Sequence, residues 1–381
     1  MHLAGYGGPY AGSFVPMLRG VMRAARDRGW SCEAVFGPVA RDRVWLDELR
    51  DDGIPFRFAR SSSRADVSGL VRSLLAESDE PTVLHTHFTS FDIPAATAAA
   101  AHGATKVFWH VHTPHHSSLS MRARNRLKYG VLGRRVERIL CVSTELAEVV
   151  VKRGAPKGRV DFLHNAVDVE RFWLVEREER EIARLRLGLP ANQPLLVHFG
   201  WDWDRKGGDL FMQAVRMLRE RGVEAVGVTV GGGEPARLLR DELSLGHAMH
   251  VLDPTDDVRT LYAAADVFMS PSRAEGTPYS VMEALSSGTA VVASDIPGHS
   301  AMGAGIASCV ITPHDPVAIA AATGRLLERE PHEVAADGLT GHLWMRDNLH
   351  LPKWSAGLVD RYEDALRPHG EAHGEPVPMP A

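Results

Sequence analysis

Apolar positions along the chain fall into short unbroken runs of strand length. They are Thr82–His85, Lys106–Trp109, Ile139–Val142, Leu195–Phe199, Ala225–Val230, Val267–Ser270 and Ala290–Ala293. Longer segments between them carry apolar residues at helical spacing, as in Leu210–Arg221 and Tyr279–Ser287. Strands that are apolar throughout are buried on both faces. Strands alternating with helices predict parallel sheets joined by crossover helices. The expected fold class is therefore α/β, with two doubly wound, Rossmann-like domains facing a cleft. Ligand-binding loops are expected at the carboxyl ends of the strands. The alternation breaks once, at the charged run Glu176–Glu181 followed by Gly188, Leu189 and Pro190. This break reads as a solvated linker over 172–190, between an N-terminal domain (1–171) and a C-terminal domain (191–349). Segment 350–366 has helical spacing and is placed back on the first domain. The Gly- and Pro-rich tail 367–381 is expected to be disordered.

A chain of 381 residues suits two domains of ordinary size. Its formal net charge of -5 argues against nucleic acid as a partner, because phosphate neutralisation needs a dominant basic surface. Cys32, Cys141 and Cys309 lie far apart and form no C-x-x-C pair. Neither a zinc knuckle nor a disulfide framework is suggested, and a cytoplasmic setting is expected. Met1–Ala4 lacks the apolar core of a signal peptide. No apolar run approaches the roughly 20 residues of a spanning helix.

The most informative stretch is Ser270–Gly298, which reads as strand end, loop, helix and strand. Thr277 suits the N-cap, Pro278 the first helical position and Gly288 the C-terminal stop. A helix start offers N–H groups and the positive end of a dipole, which favour a phosphate over Thr277, Pro278, Tyr279 and Ser280, with Gly276 before them also expected to bind the donor. Glu275 sits in the loop and Glu283 in the helix. Two carboxylates there suit hydroxyl hydrogen bonds, from a sugar at Glu275 and a ribose at Glu283.

The spacing of Glu275 and Glu283, with its flanking loop, helix and strand, resembles the E-x7-E signature of retaining glycosyltransferases of the GT-B fold, family four in particular. His164–Asp168, His198–Gly208, Val228–Gly233 and Leu261–Ser272 follow in the family's order. The resemblance implies that Glu275 contacts the donor sugar, that Thr277–Ser280 hold the diphosphate through their backbone, and that Glu283 binds the ribose. Lys206 matches the family's phosphate-binding lysine, with Arg205 assisting. Cations aimed at a leaving diphosphate stabilise the transition state more than the ground state. One position departs from the pattern. Trp201 stands where an Arg is usual, so either Arg205 reaches in as a substitute or the indole stacks on the donor. Asp202-Trp203-Asp204 spells the D-x-D of a different glycosyltransferase fold and is read as loop, with no metal assigned.

In the first half, the loop Gly5–Gly8 follows a very short strand. By the resemblance, Gly7 and Gly8 lie against the donor. The run His110–His116 follows the strand Lys106–Trp109, and His112 is the better match to the family's catalytic histidine, with His110 the alternative. A transition metal is the weaker reading of this run, since no Cys or carboxylate adjoins it. Simple packing is the second reading, ahead of a metal. His85 and His87 are read as structural or cleft-lining. The basic segment 121–140 reads as a solvated helix face, with peripheral membrane contact as its alternative. The expected activity is metal-independent transfer with retention, without a cofactor. The donor is a nucleotide-sugar, UDP-linked by the family's habit, and the acceptor is a carbohydrate, a lipid or a small metabolite. The alternatives are a nucleotide-sugar epimerase and a catalytically silent sugar-nucleotide binder.

Overall fold

The computed structural model describes residues 1–77, 79–112, 119–303 and 305–367. His115, His116 and the tail from 368 onward lie outside them. The chain divides into two compact units, one of Met1–Asn165 with the segment from Leu351, the other of Ala166–His350.

The first unit holds a parallel sheet of β1 (His2–Ala4), β2 (Ala34–Phe36), β3 (Phe56–Phe58), β4 (Thr82–His87), β5 (Thr105–Val111), β6 (Arg138–Cys141) and β7 (Val160–Phe162), in the order β3-β2-β1-β4-β5-β6-β7. The order reverses direction between β1 and β4, which makes their carboxyl ends a switch point. The helix Phe14–Arg26 buries an apolar stripe of Phe14, Val15, Leu18, Val21 and Met22. The C-terminal helix Leu351–Leu366 packs on it. A methyl group at Gly20 would stand 2.9 Å from Ser355 Oγ and 3.1 Å from Leu351 Cγ, so the missing side chain sets how closely the two helices approach. Arg28 clasps Asp360 at 2.6 Å, and Trp354 Nε1 donates to the His164 carbonyl at 2.6 Å.

The second unit repeats the plan with β8 (Leu195–Phe199), β9 (Val226–Val230), β10 (Met249–Leu252), β11 (Val267–Ser270), β12 (Ala290–Ser294) and β13 (Cys309–Thr312), all parallel, in the order β10-β9-β8-β11-β12-β13. The switch point here lies between β8 and β11. Leu195–Phe199, Val226–Val230 and Ala290–Ser294 are buried at every position. Burying one such aliphatic side chain contributes about 1.5–3 kcal/mol.

Residues 172–190 are not a linker. Phe172 and Leu189 belong to the second unit's core, and Arg177–Leu187 forms a helix of that unit. Arg184 anchors it from a buried position. Its guanidinium donates to the carbonyls of Ala264, Ala191 and Gln193 and pairs with Asp266 at 2.7 Å. The charge run misleads because the helix it opens turns Arg184 inward, three residues past the run's end. The chain passes between units at Asn165–Ala166 and at His350–Leu351 instead. Among the described residues no helix is long and apolar enough to cross a membrane.

The basic segment is less basic at its surface than its sequence suggests. Lys128 is buried against Asp92 and lies 5.0 Å over the Trp109 ring. Arg138 lies in β6 and pairs with Asp161 at 3.2 Å. Arg124, Arg126, Arg134 and Arg135 remain exposed.

Candidate active site

Two loops leave the second unit's switch point. The one after β8 runs from Gly200 into a short helix, Trp203–Lys206, and the one after β11 runs from Pro271 to Pro278. They are locked together. Arg273 makes a two-pronged pair with Asp209 at 2.9 and 2.7 Å, and its backbone N–H donates to the Arg205 carbonyl at 2.7 Å. Gly207 takes φ +69°, and a Cβ there would stand 2.0 Å from the Pro271 carbonyl oxygen. Only glycine allows that turn and that approach together.

The lock brings Lys206 and Glu275 face to face. Lys206 Nζ lies 2.7 Å from Glu275 Oε1, and Arg205 Nη1 lies 3.0 Å from Oε2. The Glu275 side chain is 9% exposed, so this is a largely desolvated carboxylate with two cations on it. Burial pushes its carboxyl up, but Lys206 and then Arg205 outweigh burial and hold it below the usual carboxylate value. A buried charge bridged in this way is expensive to leave alone. Drawing the pair apart leaves its charges uncompensated unless another group replaces each partner. Arg205 also pairs with Asp202 at 2.7 Å, so one carboxylate of the D-x-D run is already held by a cation. Trp201 lies against Gly231, 3.1 Å from where a Cβ would be, with 45% of its surface exposed.

Buried histidines stand behind both loops. His198 on β8 reaches the Lys206 carbonyl with Nε2 at 3.1 Å and Thr229 Oγ1 with Nδ1 at 3.0 Å. His299 joins Ser270 Oγ at 3.2 Å and the Ser294 carbonyl at 2.9 Å. Below Glu275, a Cβ on Gly298 would stand 2.2 Å from the Gly276 carbonyl oxygen. Burial pushes both imidazoles down to about 4. The sequence marked His198 as part of a buried strand, but nothing in it showed that its ring braces Lys206.

The helix after the Glu275 loop begins at Tyr279, with Pro278 as its N-cap, one residue later than its turn chemistry suggested. Pro278 has ψ 108°, an extended value, so helical dihedrals start after it and Thr277 is not the cap. At the other end Gly288 takes φ +72°, its N–H donates to Leu285 and that of Thr289 to Ala284. This is a Schellman stop. Glu283 is buried, and Tyr262 Oη donates to its Oε2 at 2.9 Å and to the Ser280 carbonyl at 3.1 Å. Tyr262, which sequence reasoning missed, sets the direction of the Glu283 carboxylate.

In the first unit, the glycine loop after β1 is fixed from the side. Arg43 donates to the Gly7 carbonyl at 3.1 Å and Trp45 to that of Gly8 at 3.0 Å. A Cβ at Gly7 would meet Val39 at 2.8 Å and one at Gly8 the Tyr6 hydroxyl at 2.8 Å. The packing around them leaves little room for a side chain at either position. His112 lies one residue past β5, half-buried, with Nε2 3.0 Å from His87 Nδ1. Desolvation pushes it down to about 3, so its ring is neutral at ordinary pH. His110 lies within β5 and is fully buried.

Two doubly wound units of this kind define the GT-B fold. The Anabaena protein HepE, solved with UDP, matches with a TM-score of 0.79 at 17% identity, over 95% of this chain and 99% of its own. A glycosyltransferase from Rickettsia africae matches with a TM-score of 0.79 at 14% identity, over 96% and 98%. At such identities the likeness establishes the fold alone. The family follows from the sequence. The family model described as Glycosyltransferase Family 4 matches residues 19–171, and that described as Glycosyl transferases group 1 matches residues 193–329. The chain belongs to the family-four glycosyltransferases. Among curated relatives, the Escherichia coli UDP-Gal:alpha-D-GlcNAc-diphosphoundecaprenol alpha-1,3-galactosyltransferase is 26% identical over 67% of this chain and 69% of its own length. The D-inositol 3-phosphate glycosyltransferase of Mycolicibacterium smegmatis is 30% identical over 50% of this chain and 46% of its own. The chain spans about half the length of several such inositol phosphate enzymes.

Proposed function

We propose that the protein transfers a sugar from a UDP-sugar to a carbohydrate, lipid-linked or small-metabolite acceptor, with retention at the anomeric carbon and without a divalent metal on the diphosphate. The observation that carries this reading is the buried Lys206–Glu275 pair at the second unit's switch point, with the helix start at Tyr279 beside it. In the reading, the donor replaces each partner of the pair. Its diphosphate takes Lys206 and Arg205, together with the first N–H groups of the helix Tyr279–Ser286. Its sugar hydroxyls take Glu275, and its ribose hydroxyls take Glu283 as Tyr262 orients it. The cations then meet the charge that grows on the diphosphate as the glycosidic bond breaks.

Retention follows if the acceptor hydroxyl attacks C1 on the face the phosphate is leaving. The C1–O bond to phosphate breaks, the new C1–O bond forms, and the acceptor's proton passes to the departing phosphate oxygen. The reacting carbon carries oxocarbenium character, as in glycoside hydrolysis. His112, neutral and at the carboxyl end of β5, is assigned a contact to the donor sugar, and Gly7 and Gly8 the close backbone approach. Support for UDP comes from the relatives. HepE was solved with UDP, and the name of the Escherichia coli enzyme gives a UDP-sugar donor and a diphosphoundecaprenol-linked acceptor.

Calorimetric titration of UDP, GDP and ADP in EDTA, into wild type and Glu283→Ala, tests the donor site. UDP is expected to bind without metal, and the variant to lose about 1–3 kcal/mol of binding. Binding by none of the three, or an unchanged affinity in Glu283→Ala, removes the site's assignment.

A further inference from the structure

The first unit gathers five histidines on one face of its sheet: His2 on β1, His85 and His87 on β4, His110 on β5 and His112 just beyond it. Residues two apart on a strand share a face. The register sets His2 beside His85 and His87 beside His110. The rings of His110 and His112 are 4.1 Å apart, and those of His87 and His112 are 5.3 Å apart. In the sequence, the run at 110–116 lacked a neighbouring Cys or carboxylate to complete a metal site. The fold supplies a further imidazole from the next strand.

The cluster is short of hydrogen bonds for so buried a place. Among the described residues neither ring nitrogen of His110 has a hydrogen-bond partner, and Nε2 of His85 has none. A buried polar group left unpaired costs about 1–3 kcal/mol, and native structures rarely leave one without a reason. One ligand atom each from His87, His110 and His112 lie within 4.8 Å of one another. His87 Nδ1 and His112 Nε2 are 3.0 Å apart. Two imidazole nitrogens held at 2.0–2.1 Å on a tetrahedral zinc ion stand about 3.3 Å apart, so this pair already has nearly the separation the ion requires.

We propose that His87, His110 and His112 form a three-imidazole site for a divalent transition-metal ion of the zinc class. Imidazole nitrogen suits zinc, copper, nickel or iron, and with no oxygen ligand the set does not suit magnesium or calcium. His2 supplies the outer support such a site needs. With Nε2–H of His87 donating to His2 Nδ1 across 3.2 Å, Nδ1 of His87 keeps its lone pair for the metal. Phe88 and Phe14 close the site on the apolar side, their rings 4.8 and 6.1 Å from that of His112. Phe88 and Thr89 both take φ +60°, a costly backbone for a bulky and a β-branched residue, at the turn that holds the Phe88 ring in place. Half-buried His112 gives the ion its entry, and the fourth position falls to water. With His112 as a ligand, a bound ion withholds that ring from the donor, so zinc slows transfer. That consequence rests on the role proposed for His112, whereas metal binding itself does not.

The test uses the full chain, stripped with a chelator and checked for fold by circular dichroism. ZnCl2 is titrated calorimetrically, and CoCl2 is followed by its visible ligand-field absorption. The expected result is one equivalent of zinc, and a four-coordinate Co2+ spectrum that zinc displaces. His87→Ala, His110→Ala and His112→Ala each weaken zinc at least about 100-fold, while the surface variant His247→Ala does not. Should His110→Ala fail to fold, His112→Ala at the half-buried rim and the wild-type cobalt spectrum carry the test. An octahedral or absent cobalt spectrum, or zinc binding indifferent to His87→Ala and His112→Ala, overturns the proposal. Loss in His87→Ala with full binding in both other variants also overturns it, in favour of the neighbouring set His2, His85 and His87.

Discussion

At the scale of single residues, the telling feature of the second unit is that its donor-site candidates already neutralise one another. Lys206 meets Glu275 at 2.7 Å, and the two are 69 positions apart in sequence. Spacing made both residues visible, Glu275 through its distance from Glu283 and Lys206 through the glycines that follow it. Neither spacing reveals that they meet, because their encounter depends on β8 and β11 being neighbours in the sheet. Tyr262 and His198 were hidden for the same reason. The strand of His198 marked it as interior and Tyr262 lay in a stretch read only for its place in the family's order, while their polar atoms act on residues distant in the chain. The pairing makes Lys206→Met informative. The variant keeps most of the side chain's bulk, removes the cation that would meet the leaving diphosphate, and leaves Glu275 with Arg205 alone. Loss of one electrostatic stabiliser of a transition state typically costs about 10²–10³ in kcat. That loss is expected in the rate at which a UDP-sugar donor releases UDP in the presence of acceptor. Turnover within a few-fold of wild type would mean that Lys206 serves the loop lock and not the reaction.

At the scale of elements, legibility followed length and apolar continuity. The runs Leu195–Phe199 and Val267–Ser270 coincide with β8 and β11 residue for residue, because a strand buried on both faces leaves an unbroken apolar signal. The three-residue strands β2, β3 and β7 offered too little pattern to read. The segment 172–190 failed for a different reason. Charge density normally means solvent, yet here Arg184 is buried and four of its contacts are carbonyl or carboxylate oxygens of the second unit. Arg184→Met tests whether this anchor matters. It leaves Asp266 with Arg180 and the Leu195 N–H as partners, and strips three carbonyls of their donor. Breaking a buried pair from one side costs about 3–5 kcal/mol. With Asp266 partly exposed, about 3 kcal/mol is expected in urea unfolding, with faster amide exchange across Arg177–Leu187. A change under about 0.5 kcal/mol, the range of an ordinary surface substitution, would mean that the Arg184 anchor contributes little to holding this segment.

At the scale of the whole molecule, the burial of His198 and His299 behind the two loops of the second unit makes stability depend on pH. His198 and His299 are held near 4 in the folded protein, against 6.5 when unfolded. For His198 burial dominates. The Lys206 carbonyl and Asp209 favour the cation, and the Lys206 charge opposes it. For His299 burial again dominates. The Ser294 carbonyl and Glu275 favour the cation, and Lys206 opposes it. Between pH 6.5 and about 4 the unfolded chain therefore binds protons that the folded chain refuses. Stability is complete above pH 6.5 and declines as pH falls through that window. Each histidine contributes a slope of about 1.4 kcal/mol per pH unit, or roughly 2 kcal/mol by pH 5. Urea unfolding from pH 7.5 to pH 5 measures the slope, and His299→Asn isolates one share of it. The variant lowers stability at neutral pH by losing the ring's packing, but its decline with pH should be shallower than wild type by roughly 2 kcal/mol over the same range. An identical decline would mean that His299 takes up its proton in the folded state. The ring would then be a cation beside Glu275, competing with Lys206 for the carboxylate on which the donor reading depends.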